Sequence, residues 1–182
     1  MIYNTREFKL KDGTLCTFRS PIESDASEMI DYLKVFASET DFILRYPEEC
    51  TETDEEEAYF LKNINDSRYS MMIVAIIDGE IAGNCQLNIH KRMKARHRGN
   101  VAIGLKKKFW NKGIGTLMLQ ELEMVARVNG CKQLELEFIE GNTRAQALYE
   151  KMGFSIFGER KRAIILKDGT TLSDFFMVKF LD

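Results

Sequence analysis

Hydrophobic and polar positions change period several times along the chain, and each change marks an element. Residues 8–11 and 15–19 read as short strands around Asp12-Gly13, a dipeptide suited to the positive φ angles of a tight hairpin turn. Pro21 ends the second strand. Met29, Ile30, Leu33 and Phe36 then recur at helical spacing behind Asp25 and Glu28, a loose capping box. A second helix is predicted to start near Thr53, with Glu56 three residues on and Phe60, Leu61 and Ile64 along one face. From Ser70 the period shortens to that of strands, with residues 71–77 and 81–89 flanking an Asp78-Gly79 turn and a third strand at 100–105. A long helix follows Gly113 and runs to about Asn129, with Ile114, Leu117, Met118, Leu122, Val125 and Ala126 on one face and Gly130 as its stop. Leu134, Leu136 and Phe138 alternate with Glu135 and Glu137 in a strand. Asn142 is a good N-cap for a helix ending at Met152, with Gly153 just beyond. A short strand at 154–157 and a hairpin of 163–166 and 172–180 around Asp168-Gly169 complete the pattern.

Strands and helices interleaved in this order, without a repeat or a linker, predict one α+β domain over residues 1–182 built on a mixed sheet. The 182 residues are enough to bury a sizeable core. Twenty-six basic against 28 acidic residues give a net charge of −2, which argues against a nucleic-acid partner. No apolar run reaches the roughly 18 residues needed to cross a membrane, and the first residues lack the apolar core of a signal peptide. Cys16, Cys50, Cys85 and Cys131 lie at least 34 residues apart, a spacing that predicts buried reduced thiols and a cytoplasmic location. With His90 and His97 the only histidines, no metal site is expected.

Two segments carry candidate chemistry. In the first, Phe109-Trp110-Asn111-Lys112-Gly113-Ile114-Gly115-Thr116, two glycines open a helix, where free N–H groups suit a phosphate. It lacks the Walker and dinucleotide-binding patterns, so ATP and NAD are poorly supported. The second runs from Leu136 to Phe154. Asn142 and Tyr149, seven residues apart, fall on nearly the same helical face, one offering an amide and the other a phenolic proton. A packing tyrosine and a plain cap would leave the same pattern.

Together and in this order, the two segments resemble the GNAT superfamily of acetyl-CoA-dependent N-acetyltransferases. The resemblance runs from about Ile73 to the C-terminus and is most specific in the Asn-x-x-Ala-x-x-Leu-Tyr-x-x-x-Gly-Phe string that begins at Asn142. Gly158-Glu159-Arg160, Asp168-Gly169, Asp174 and Met177 look like the branch containing ribosomal-protein and polyamine acetyltransferases. The resemblance implies a mostly antiparallel sheet with helices on both faces, and acetyl-CoA as co-substrate without a metal. It places the CoA pyrophosphate on the backbone of Asn111, Lys112, Gly113, Ile114, Gly115, Thr116 and Leu117. Ile103, Leu105, Asn142 and Ala145 would lie beside the pantetheine arm. Trp110 stands where the family has Gln or Arg, so a side-chain contact from that position is not expected.

By the same resemblance Tyr149 is the general acid and Glu137 the base, with water as the alternative to Glu137. The ordinary phenol pKa of about 10 keeps such an acid protonated beside a thiol near 8.5. The acceptor implied is a primary amine, with a protein or peptide N-terminus favoured over a small amine such as a polyamine or amino acid. At pH 7 an α-amine is about a tenth neutral, whereas roughly one lysine amine in a few thousand is. Seven of the ten residues from Glu48 to Glu57 are acidic, a run able to steer a cationic acceptor. A CoA-binding regulatory domain without turnover is the rival reading. The family often forms homodimers, and no residue pattern here decides that point.

Overall fold

A computed structural model describes residues 1–181. Eight strands form one sheet: β1 (Arg6–Lys9), β2 (Leu15–Arg19), β3 (Ser70–Ile77), β4 (Glu80–Ile89), β5 (Arg98–Leu105), β6 (Gln133–Ile139), β7 (Ser155–Ile165) and β8 (Thr171–Phe180). Their order is β1-β2-β3-β4-β5-β6-β8-β7, and every neighbouring pair is antiparallel except β5 and β6. Four helices complete the fold: α1 (Ala26–Glu39), α2 (Asp54–Asp66), α3 (Ile114–Val128) and α4 (Thr143–Lys151).

Alternation along β3 shows why helices cover both faces. Met71, Ile73, Ala75 and Ile77 pack with Ile114, Met118, Leu122 and Ala126 of α3. Met72 and Val74 point the other way, against Met29 and Tyr32 of α1 and Leu61 and Ile64 of α2. At β5, Gly104 lets α1 come close, since a Cβ there would lie 2.7 Å from the Tyr32 hydroxyl and 2.9 Å from the Phe36 ring. That approach brings the Leu33 and Phe36 side of α1 over the middle of the sheet.

The parallel pair is short. Only Arg98, Gly99 and Asn100 align with Gln133, Leu134 and Glu135. β4 holds the other edge of β5 as far as Leu105, and β8 holds the other edge of β6 as far as Ile139. Beyond the third rung the two strands therefore diverge, each anchored on its outer side. Arg98 clamps Glu135 with two hydrogen bonds, from Nε at 2.6 Å and Nη2 at 2.7 Å, at the last rung before the split.

Several local expectations are revised. Thr53 and Glu56 do form the capping box of α2, with Glu56 N–H bonded to Thr53 and Thr53 N–H bonded to Glu56. Asp25 does not cap α1 with its side chain; it accepts from Arg19 and from the Ile22 amide, while Glu28 accepts from the Ile81 amide. Phe60 was expected on the buried face of α2 but is 44% exposed. The segments 154–157 and 163–166 belong to a single strand, β7, whose bulges and positive φ at Arg162 interrupted the two-residue alternation.

Arg98 holds the Glu135 carboxyl below its usual range, so the pair stabilises the fold above that range and is lost as pH falls through it. Replacing Glu135 with Gln should cost about 1 kcal/mol at pH 7, given that Arg98 is partly exposed. Urea denaturation at pH 7 and near pH 3 checks this: the gap between wild type and variant should close at the acidic value.

Candidate active site

Where β5 and β6 part, a cleft of about 800 Å³ opens. One end is the turn leading into α3. Asn111 and Gly113 take positive φ values of 64° and 89°, and the second is why glycine stands at the helix N-cap. The first intrahelical bond runs from Leu117 N–H to Gly113 C=O. The amides of Ile114, Gly115 and Thr116 thus have no partner within the helix, and together with the helix dipole they favour an anion. Gly115 makes room for this turn to pack on α4, because a Cβ there would sit 2.9 Å from Leu148 Cδ2.

Trp110 occupies a role that its sequence position did not foretell. Its indole Nε1 donates to the Leu105 carbonyl at 2.8 Å, closing the end of β5. Arg144 stacks over the same ring at 4.5 Å and donates to Asn111 Oδ1 at 2.6 Å. The aromatic ring and guanidinium thereby tie the glycine turn to the start of α4. Lys9, Lys11, Lys112 and Lys151 also line the cleft, although Lys112 is engaged by Asp12. This end is cationic.

The other end holds the candidate acid and base. Leu134, Leu136 and Phe138 face the α3 side, so alternation turns Glu137 to the opposite face, where its exposed side chain reaches the cleft. Tyr149 lies between the rings of Phe138 and Phe154, with centroids at 6.4 and 6.1 Å. It is 6% exposed, and burial pushes its phenol up to about 12. Tyr149 lines the cleft, and its hydroxyl has no hydrogen-bond partner among the described residues. Asn142 caps α4 through Oδ1, which accepts from Ala145 N–H at 3.2 Å, and its amide NH₂ remains available.

All thirteen residues singled out in the sequence line this one cleft: Ile103, Leu105, Asn111, Lys112, Gly113, Ile114, Gly115, Thr116, Leu117, Glu137, Asn142, Ala145 and Tyr149. The resemblance gave the stretch from about Asp25 to Ile64 as shaping the acceptor side without naming residues, and from it Leu33, Phe36, Phe42 and Ile43 wall the cleft; sequence reasoning missed Arg144. It also missed Asn84 and Gln86, whose signal was the polar alternation of β4, where they interrupt Gly83, Cys85 and Leu87. All four cysteines are buried and unpaired, and burial raises Cys16, Cys85 and Cys131 away from thiolate. No group of three or more potential metal ligands occurs among the described residues. No helix among them is long and apolar enough to cross a membrane.

A splayed parallel pair, with a glycine-opened helix and a buried tyrosine lining the cleft between, makes a site suited to an elongated ligand with an anionic end. The acetyltransferase (GNAT) family model matches residues 36–154, and the chain belongs to that family. It is similar to an acetyltransferase of the GNAT family from Streptococcus pneumoniae, at 30% identity and a TM-score of 0.85 over 91% of this chain and 99% of that one. The structure of yncA from Salmonella typhimurium, determined with its cofactor acetyl-CoA, matches in fold at 18% identity and a TM-score of 0.78, covering 92% and 94% of the two chains. The L-amino acid N-acetyltransferase AaaT of Escherichia coli is 26% identical over 108 residues, which cover 59% of this chain and 66% of that protein, just under two thirds.

The two glycines should fail differently. Gly113→Ala meets no atom within 4 Å but forces alanine to a φ of 89°, so stability should fall by about 1 kcal/mol in denaturant titration. Gly115→Val intrudes on Leu148 and the cleft floor, an overpacking of about 1–3 kcal/mol that should weaken CoA binding on the order of tenfold by calorimetry. Adding Leu148→Ala should restore part of that affinity.

Proposed function

We propose that the protein is an acetyl-CoA-dependent N-acetyltransferase that acts on a primary amine by direct attack with both substrates bound. The observation that carries this reading is the single cleft in which an unpaired strand edge joins a row of free helix amides to Tyr149 and Glu137. The amides of Ile114, Gly115 and Thr116 suit a pyrophosphate, and Lys112 and Arg144 add positive charge beside them. The backbone of Ile103 and Leu105, with Asn142 and Ala145, suits an amide-bearing arm. Leu105 C=O is already taken by Trp110, so its N–H is what it has to offer. When bound there, acetyl-CoA supplies an acetyl group activated as a thioester.

The chain's own residues manage two protons. Glu137 takes one from the incoming ammonium, directly or through water, so that the amine attacks with a free lone pair. Tyr149 presents its hydroxyl to the sulfur that departs. Handing a proton over completely from a phenol at about 12 to a thiolate near 8.5 would be uphill by about 5 kcal/mol. Tyr149 therefore acts chiefly as a hydrogen-bond donor to charge developing on sulfur, and the departing thiolate takes up the second proton that the nitrogen sheds as the amide forms, directly or through water. The raised pKa of Tyr149 keeps it in the donating form across the physiological range.

Two acceptor classes fit this chemistry, a peptide or protein N-terminus and a small amine. A side pocket of about 320 Å³ shares Leu33, Asn84 and Gln86 with the main cleft, and its size supports the small amine. AaaT, named for amino-acid acetylation, lends the same support. The four buried, unpaired cysteines support a cytoplasmic place of work.

Tyr149→Phe should lower kcat about 100-fold in a CoA-thiol release assay while leaving acetyl-CoA affinity within about twofold. Because Tyr149 ionises only near 12, the wild-type pH–rate profile should show no falling limb before about pH 10.5. An unimpaired phenylalanine variant would remove Tyr149 from the mechanism. Folded protein that binds acetyl-CoA yet releases no thiol with any amine would favour the non-catalytic, CoA-binding regulatory reading.

A further inference from the structure

The proton transfers above leave one polar cluster unused. The side pocket is lined by Arg45, Glu52, Glu56, Glu57 and Phe60 over an apolar floor that includes Met29 and Met72. Glu56 is occupied in the cap of α2, where it accepts from Thr53 N–H at 2.8 Å. Glu52 accepts from Arg45 Nη1 at 2.9 Å through Oε1, but its Oε2 is buried without a partner among the described residues. Glu57 is only 4% exposed, and its Oε1 is likewise buried and unpartnered. Glu52 pairs with the one guanidinium, Glu57 lies within its field, and one oxygen of each carboxylate lacks a donor.

A buried carboxylate oxygen without a donor is costly, and Glu57 registers that cost. Burial, and then the charge of Glu52, push its carboxyl above the usual range. What the pocket lacks is a donor that carries positive charge. A primary ammonium has three N–H donors on one cationic nitrogen, which matches two bare oxygens and the excess negative charge. A free carboxylate at this point would be repelled, and an alkyl terminus would leave both oxygens unsatisfied. The Phe60 ring, 44% exposed on α2, adds an aromatic surface at the same place.

We propose that this side pocket is a second-ammonium subsite, which holds the distal cationic nitrogen of a di- or polyamine whose other amine lies in the main cleft between Glu137 and Tyr149. Leu33, Asn84 and Gln86 line both compartments, so the two are neighbours, and a diamine that fills both must run past these three side chains. The placement of the reacting amine rests on the acetyltransferase reading; the recognition of the distal ammonium does not.

Calorimetry of the full chain with α,ω-diaminoalkanes and spermidine, against monoamines of equal length, tests the subsite by binding alone. The best diamine should bind at least tenfold more tightly than its monoamine. Glu57→Gln should abolish that difference with acetyl-CoA affinity unchanged and Tm equal to or above wild type. Should the buried variant misfold, Phe60→Arg on the half-exposed helix face places a cation in the pocket and should have the same effect on diamines. Equal binding of diamine and monoamine, or a preference that survives both substitutions, would overturn the subsite. So would selective binding of N-terminal peptides with a basic second residue over every diamine. Thiol release separates the two readings: equal turnover of both amine types leaves the transferase and removes the subsite. Selective, Glu57-dependent diamine binding without turnover does the reverse.

Discussion

The site depends on β5 and β6 parting after three paired rungs. A parallel pair can separate there because each strand is held on its far side, β5 by β4 to Leu105 and β6 by β8 to Ile139. Neither strand can close the gap without breaking those ladders. The separation exposes backbone groups in the middle of a sheet, where an unpaired N–H or C=O is expensive unless something bonds it. Trp110 answers part of that demand by closing the Leu105 carbonyl. The remaining edge offers unpaired backbone groups along the cleft, a template suited to a ligand that itself carries amides.

The split also sorts charge. At the α3 end lie free helix amides with Lys9, Lys11, Lys112, Arg144 and Lys151, while Glu137 stands at the other end and Glu52 and Glu57 beyond it. Such a distribution would draw an anionic group and a cationic group to different parts of one cleft. The nearly neutral chain, at −2 overall, conceals this polarity, which appears only when the sheet brings distant segments together.

Local pattern made the helix start at Gly113 and Gly115, the Asn142 cap and the shared face of Asn142 and Tyr149 legible, but only the resemblance attached roles to them, since a packing tyrosine and a plain cap would leave the same pattern. The alternation of Leu134, Leu136 and Phe138 likewise fixed which way Glu137 points. The divergence of β5 from β6 was not legible from periodicity, because it arises from competition among three ladders and no single segment encodes it. Trp110 reads as an ordinary aromatic until the Leu105 carbonyl comes within reach. The acidic run from Glu48 to Glu57 reads as one stretch able to steer a cation, yet folding divides it: Glu48 pairs with Lys167, Glu52 with Arg45, Glu56 caps α2 and Glu57 turns inward. Tertiary contact, not composition, assigned those four carboxylates their separate environments.

Tyr149 and Glu57 illustrate one physical rule with opposite consequences. Burial disfavours the charged form of both. For the phenol this conserves the neutral, proton-bearing state, so the packing against Phe138 and Phe154 that serves the fold also keeps its proton in place. For the carboxyl it opposes ionisation in the free protein, and folding stability declines as pH rises through the range where the unfolded chain would ionise. A cation that binds beside Glu57 reverses that term by making the carboxylate the favoured form. The free energy withheld from the empty fold is then returned on binding, which makes such a pocket selective for charge more than for shape.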